Sequence, residues 1–136
     1  MNILVIDGQG GQLGRGIIKA LRERGAAAKI TAVGTNASAT AAMLRAGADA
    51  AATGENSVRV ACRSADIIVG PVGIVIADSL LGEVTPDMAV AVGQARAVRI
   101  LIPINRCDNI VAGVADVGMS SLIDDAVQKI AALAAK

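Results

Sequence analysis

The stretch Asn2-Ile3-Leu4-Val5-Ile6-Asp7-Gly8-Gln9-Gly10-Gly11-Gln12-Leu13-Gly14-Arg15 decides the fold of this 136-residue chain. Ile3 to Ile6 form an unbroken apolar run, the mark of a strand buried on both faces, as in a parallel sheet. Four glycines follow between positions 8 and 14. From about Gln12 to Arg24 the period changes. Leu13, Ile17, Ala20 and Leu21 recur at i, i+4, i+7 and i+8, while Lys19, Arg22 and Glu23 fall on the opposite side. Gly25 stands where a left-handed residue ends a helix. Buried strand, glycine turn and amphipathic helix make the first half of a βαβ unit.

The same alternation continues outward. Strands are expected at Lys29 to Val33, Ala48 to Thr53, Asp66 to Val69 and Val98 to Ile102, with Ile110 to Val114 open as a sixth. Helices are expected at Ser38 to Ala46, at the segment carrying Val58, Ala61 and Cys62, and at Ile74 to Leu81. Thr85-Pro86-Asp87 reads as a helix start, with cap, proline and first-turn acid in order, for a helix to about Arg96. Ser120 or Ser121 would cap a last helix, whose buried stripe is Ile123, Val127, Ile130 and Ala131. These readings give one Rossmann-like α/β domain over residues 1–136. It is a three-layer sandwich with a mostly parallel sheet of five or six strands and helices on both faces.

Composition narrows the chemistry. Histidine and aromatic residues are absent, which removes imidazole as base or metal ligand, tyrosine as proton donor, and stacking platforms for nucleic acid. A net charge of +1 with scattered basic residues offers no polyanion or membrane surface. The N-terminus lacks a basic start followed by a long apolar core, and the run Ile67 to Ala77 is broken by two glycines and a proline. Cys62 and Cys107 share no metal-type spacing, so reduced thiols, a cytoplasmic location and no metal site are expected. Hydrophobic residues make up 54% and charged residues 18%. A domain this small cannot hide so much apolar surface alone, so a homodimer or higher oligomer is expected, with Ile74 to Leu81 and Met88 to Ala95 as contributors.

The glycine segment carries the functional expectation. Gly8, Gly11 and Gly14 follow a GxxGxxG spacing between strand and helix, as in many nicotinamide-dependent reductases. There a turn, a close backbone approach to a diphosphate and close helix packing each need glycine. Candidate cofactor contacts are therefore Gly8, Gln9, Gly10, Gly11, Gln12, Leu13 and Gly14, with the helix N-terminus facing the anion. The end of the second strand holds Thr35 and Asn36 where an NAD-binding domain usually has an acid. Two readings stay open: ribose or 2′-phosphate contact, with Arg45 nearby, or capping of the next helix. Other strand ends add Gly54, Glu55 and Asn56, then Gly70, Pro71 and Gly73, then Asn105 and Arg106. Cys107 is read as a spectator thiol, no histidine being present to activate it.

The chain as a whole resembles a small bacterial family of uncharacterised Rossmann-like, NAD(P)-binding-type proteins. The likeness runs from Met1 to about Val117. It rests on Ile6 to Gly11, Thr31 to Ala37, Ala46 to Asp49, Ala52 to Asn56, Val69 to Pro71, Ala77-Asp78, Leu81 to Pro86 and Ile102 to Cys107. The resemblance implies the fold and no particular activity. The likeness to reductases covers the first βα unit alone, and the Tyr-x-x-x-Lys pair of short-chain reductases is absent. The expectation is a small protein holding a nucleotide or dinucleotide, NAD or NADP, as sensor or carrier. Two alternatives stand beside it: a minimal oxidoreductase or other nucleotide-dependent enzyme using Cys107, Asp78 or Glu83, and an oligomeric interaction protein that has lost its ligand.

Overall fold

The computed structural model describes residues 1–104 and 108–136. Its strands are β1 (Asn2–Asp7), β2 (Lys29–Gly34), β3 (Ala50–Thr53), β4 (Ile67–Pro71) and β5 (Val98–Ile102). They form one sheet in the order β3-β2-β1-β4-β5, every pairing parallel. The helices are α1 (Gln12–Glu23), α2 (Ala37–Arg45), α3 (Glu55–Cys62), α4 (Pro86–Gln94) and α5 (Met119–Ala134). The expected α/β sandwich is therefore present, with five strands.

Alternation along β1 divides the core. Ile3 and Val5 face α1, α2 and α5, where Ile17, Met43 and Val127 pack. Leu4 and Ile6 face α3 and α4, where Val58, Met88 and Val92 pack. Both faces of β1 are covered, which is why its sequence is a continuous apolar run. The strand order reverses between β1 and β4, and ligands of doubly wound sheets bind at such a point, beyond the carboxyl ends of the strands.

Four expectations need correction. Ile74 to Leu81 is not a helix. A short 3₁₀ turn spans Val72–Val75, and Asp78, Leu80 and Leu81 then take left-handed φ values of 66°, 55° and 56°. The segment closes on itself through Asp78 N to Val84 O at 2.7 Å and Val84 N to Ser79 O at 3.2 Å. Ile74, Leu80 and Val84 are all buried in the core, and the turns that place them there override the apolar pattern. Ile110 to Val114 is not a strand; Ile110 is 94% exposed and the segment is irregular. Neither Ser120 nor Ser121 caps α5, because the helix begins one residue earlier behind Gly118, which has no side chain to offer. Lastly, Met88, Ala89 and Val92 of α4 are buried in the chain's own core, so of the apolar residues assigned to an interface there Val90 is left most exposed.

Candidate functional site

At the end of β1 the backbone runs Asp7-Gly8-Gln9-Gly10-Gly11 before α1 begins. Asp7 is a buried carboxylate, and it explains much of the turn. Its Oδ1 accepts from Gly8 N at 2.8 Å, and its Oδ2 accepts from Gly14 N at 2.7 Å. The first-turn amides of α1 thus receive an anion from the protein itself, the role a capping acid plays at a helix N-terminus. Burial raises the Asp7 carboxyl above its ordinary value. The Gly14 and Gly8 amides pull against that rise, and the charge of Glu83 adds to it.

Glu83 comes from the β4–α4 connection, yet it sits over the ends of β1 and β2. Its Oε1 accepts from the Thr35 hydroxyl at 2.6 Å, from Asn36 Nδ2 at 2.7 Å and from Gln9 N at 3.0 Å. Burial alone would raise this carboxyl. The three donors together outweigh burial and hold it below its ordinary value. Glu83 Oε2 has no hydrogen-bond partner among the described residues. Asn36 does double duty: its Oδ1 accepts from Ala39 N as the cap of α2, while its Nδ2 also donates to Gln9 O at 2.9 Å. Both readings of Asn36, as cap and as part of a polar cluster, describe the same side chain.

The four glycines of the loop separate into two kinds. Gly11 has φ of 73°, and a side chain there would meet the Ala39 backbone at 2.8 Å. A Cβ at Gly14 would lie 2.5 Å from Met43 Sδ, and one at Gly8 2.4 Å from Thr35 Oγ1. Gly10 has nothing within 4 Å. Packing thus accounts for three of the glycines, and Gly10 faces open space. The amide of Gly11 donates to Gly8 O at 2.9 Å. Those of Gly10 and Gln12 have no hydrogen-bond partner among the described residues. Beside them a cleft of about 290 Å³ is lined by residues 7–13 and by Met119 of α5.

The remaining sequence candidates spread along the same edge. Glu55 Oε1 accepts from the Thr85 hydroxyl at 2.5 Å, which ties the start of α3 to the cap of α4. Gly54 precedes α3 with φ of 99°, and Asn56 is exposed. Gly70, Pro71 and Gly73 are all buried. A Cβ at Gly70 would stand 2.3 Å from the Ile6 carbonyl oxygen, and one at Gly73 2.9 Å from Ser79 Oγ. Close packing is what these two glycines serve in the structure. Asn105, Arg106 and Cys107 lie outside the described residues. Arg45 stands in the last turn of α2, nine residues from the Asn36 cap. At 1.5 Å per residue that is roughly 13 Å along the axis, so Arg45 is not a neighbour of Thr35 and Asn36 as the sequence reading had it.

Sequence reasoning left Asp7 out of the site and gave Glu83 only a minor place. Asp7 could have been found from its position, an acid closing a doubly buried strand just before a helix N-terminus. Glu83 carries no local signal, because its partners lie 74, 48 and 47 residues away. Among the described residues, no three His, Cys, Asp or Glu side chains group as a metal site, and no helix is long and apolar enough to cross a membrane.

Comparison with solved structures finds a likeness to a dodecameric FMN-dependent UbiX-like decarboxylase from Escherichia coli O157:H7. The identity is 17%, over 95% of this chain and 76% of that one, with a TM-score of 0.44. No curated protein matches the sequence. A family model matches residues 2–135, and the chain belongs to that family, described as Domain of unknown function (DUF3842).

Proposed function

We propose that this protein binds a small ribonucleotide-type ligand across the ends of β1 and β2, with Glu83 receiving the sugar hydroxyls. The carrying observation is the Glu83 carboxylate, gathered by Gln9, Thr35 and Asn36. Dinucleotide-binding sheets place an acid at the end of the second strand to accept the ribose hydroxyls. Here β2 ends without one, and an acid reaches that place from another loop. Oε1 is held by the protein, which leaves Oε2 for a ligand hydroxyl. The exposed amides of Gly10 and Gln12 border the adjoining cleft and suit the phosphate side of the same ligand.

Within the NAD(P) class, this geometry favours the unphosphorylated ribose. A 2′-phosphate beside Glu83 would set two anions together. The test is calorimetric titration and thermal shift with NAD, NADP, ADP and FMN. A ligand at a hundred times its dissociation constant adds about 2.7 kcal/mol of stability. Gly10→Val, which adds bulk only to open space, should keep the unliganded stability and lose that gain. Equal gains in wild type and Gly10→Val would remove the loop from the site.

The chain is also inferred to self-associate, because Val60 of α3, Val90 of α4 and Val98 at the start of β5 are each close to half exposed. Sedimentation equilibrium at micromolar concentration tests this. A mass of 13.5 kDa would mean a monomer. Val90→Asp is the suitable interface variant, since Val92 lies in the core.

A further inference from the structure

The outer face of α1, between α2 and α5, forms the floor of a groove of about 640 Å³. Its charged lining is Arg15 and Lys19 from α1 and Arg45 from α2, with no acid among the residues that line it. Elsewhere on this face of the sheet three cations are paired: Arg22 with Asp49 at 2.9 Å, Arg24 with Asp124 at 3.4 Å, Lys129 with Asp125 at 2.5 Å. Within the groove, Lys19 only approaches Glu23 at 4.0 Å, both largely exposed. Arg15 and Arg45 have no ion-pair partner among the described residues. Arg15 and Arg45 line the same groove without counter-charge, and Lys19 has only its loose, exposed contact with Glu23, so an anion held between them would be attracted by all three.

The placement of Arg15 adds a second observation. It lies at the end of the first turn of α1, which contains no acid. Asp7 already caps the backbone of that turn from within the chain, so Arg15 presents its charge from the side of α1 into the groove. Gln12 and Met119 line both this groove and the glycine-loop cleft, so the two cavities adjoin. At the far end of the loop stand the carboxylates of Asp7 and Glu83. The loop therefore separates an acidic end, suited to hydroxyls, from a basic end, suited to phosphate.

We propose that the α1–α2–α5 groove is an anion subsite that takes the phosphate groups of a phosphorylated small molecule through Arg15, Lys19 and Arg45. This deepens the nucleotide reading and rests on it for the hydroxyl end of the ligand. The phosphates would lie over the side of α1, not only at its N-terminus. A cavity of this size suits a small molecule, whereas a polymer backbone or a membrane surface calls for an extended basic face.

Inorganic pyrophosphate is the probe, titrated by calorimetry into wild type, Arg15→Ala/Arg45→Ala and, as a control across the sheet, Arg59→Ala. Wild type and Arg59→Ala should bind one equivalent with equal affinity, and the double variant at least tenfold more weakly. Arg15 and Arg45 are exposed, so the double variant should keep the wild-type circular dichroism and melting temperature. Equal affinity in wild type and the double variant would overturn the proposal, as would no binding to wild type at millimolar pyrophosphate. No pyrophosphate binding by wild type, with intact discrimination for ribose hydroxyls, would end the groove alone. The converse result would end the hydroxyl reading and leave the groove standing.

Discussion

Two connections cross the carboxyl edge of this sheet at the point where strand order reverses. The turn from β1 to α1 is short, and its chemistry is local. Asp7 caps the helix seven residues on, and the glycines fit tight contacts with neighbouring side chains and backbone. The connection from β4 to α4 is long, and non-local contacts set its form. Leu80 and Val84 plug the core, while Glu83 bonds to residues of β1 and β2 ends. The first can be read from a dozen consecutive residues. The second reads as a helix in sequence and is a strained loop in space, with three non-glycine residues at left-handed φ. Polar groups that could serve a ligand are shared between the two.

Substitutions at glycines should separate the connections most strongly. Gly70→Ala would push a methyl group against the Ile6 carbonyl of a central strand, where neither backbone can retreat. We expect a loss of about 3 kcal/mol in urea unfolding. Gly11→Ala should cost about 2 kcal/mol, since it forces a left-handed backbone and meets α2. That cost makes Gly11 a poor place to test ligand contact, because a folding defect would mimic lost binding. If Gly70→Ala were neutral, the packing account of the β4 turn would fail.

A smaller effect probes the link between the two connections. Glu83→Gln keeps an acceptor for Thr35 and loses the charge that strengthens three hydrogen bonds, for about 1 kcal/mol at neutral pH. Because the folded Glu83 carboxyl is held below its usual 4.5, its contribution is complete above that pH. It should vanish as pH falls through the lowered folded value. Asp7 works in the opposite direction: its raised carboxyl favours the folded state in acid, and that gain is lost as pH climbs through the raised value. Melting temperatures of wild type and Glu83→Gln should therefore differ at pH 7 and converge in acid. A constant gap across that range would mean that Glu83 acts through shape and not through charge.

The architecture was legible because it rests on period and punctuation. Continuous apolar runs marked the strands, and Thr85-Pro86 marked the start of α4 to the residue. The errors fell where tertiary contacts decide. Apolar Ile74 to Leu81 suits a helix, but alternating demands of core and edge pull it into turns. Ile110 to Val114 has strand composition and no strand to pair with. For the site, residue type was legible and assembly was not. Thr35, Asn36 and Gln9 were named as separate candidates, and only the fold shows one carboxylate holding all three. The expected free helix N-terminus is modified too: Asp7, an acid at the end of a buried strand, turns back to cover it, a signal the local sequence does carry.

The smallest structural effect should fall at Gly10, where substitution by valine is expected to change stability by less than about 0.5 kcal/mol, as surface changes usually do. Any larger loss would mean that the loop packs more tightly there than the open surroundings of Gly10 indicate.

The most direct test of the Glu83 assignment is a pair of calorimetric titrations with the best-binding ribonucleotide from the ligand panel and its 2′,3′-dideoxy analogue. A carboxylate that accepts ribose hydroxyls should favour the ribonucleotide by at least tenfold in wild type, about 1.4 kcal/mol. That preference should vanish in Glu83→Gln, whose side chain still fills the same space. Equal affinity of wild type for both ligands would contradict the assignment and leave Glu83 as a strut between two loops.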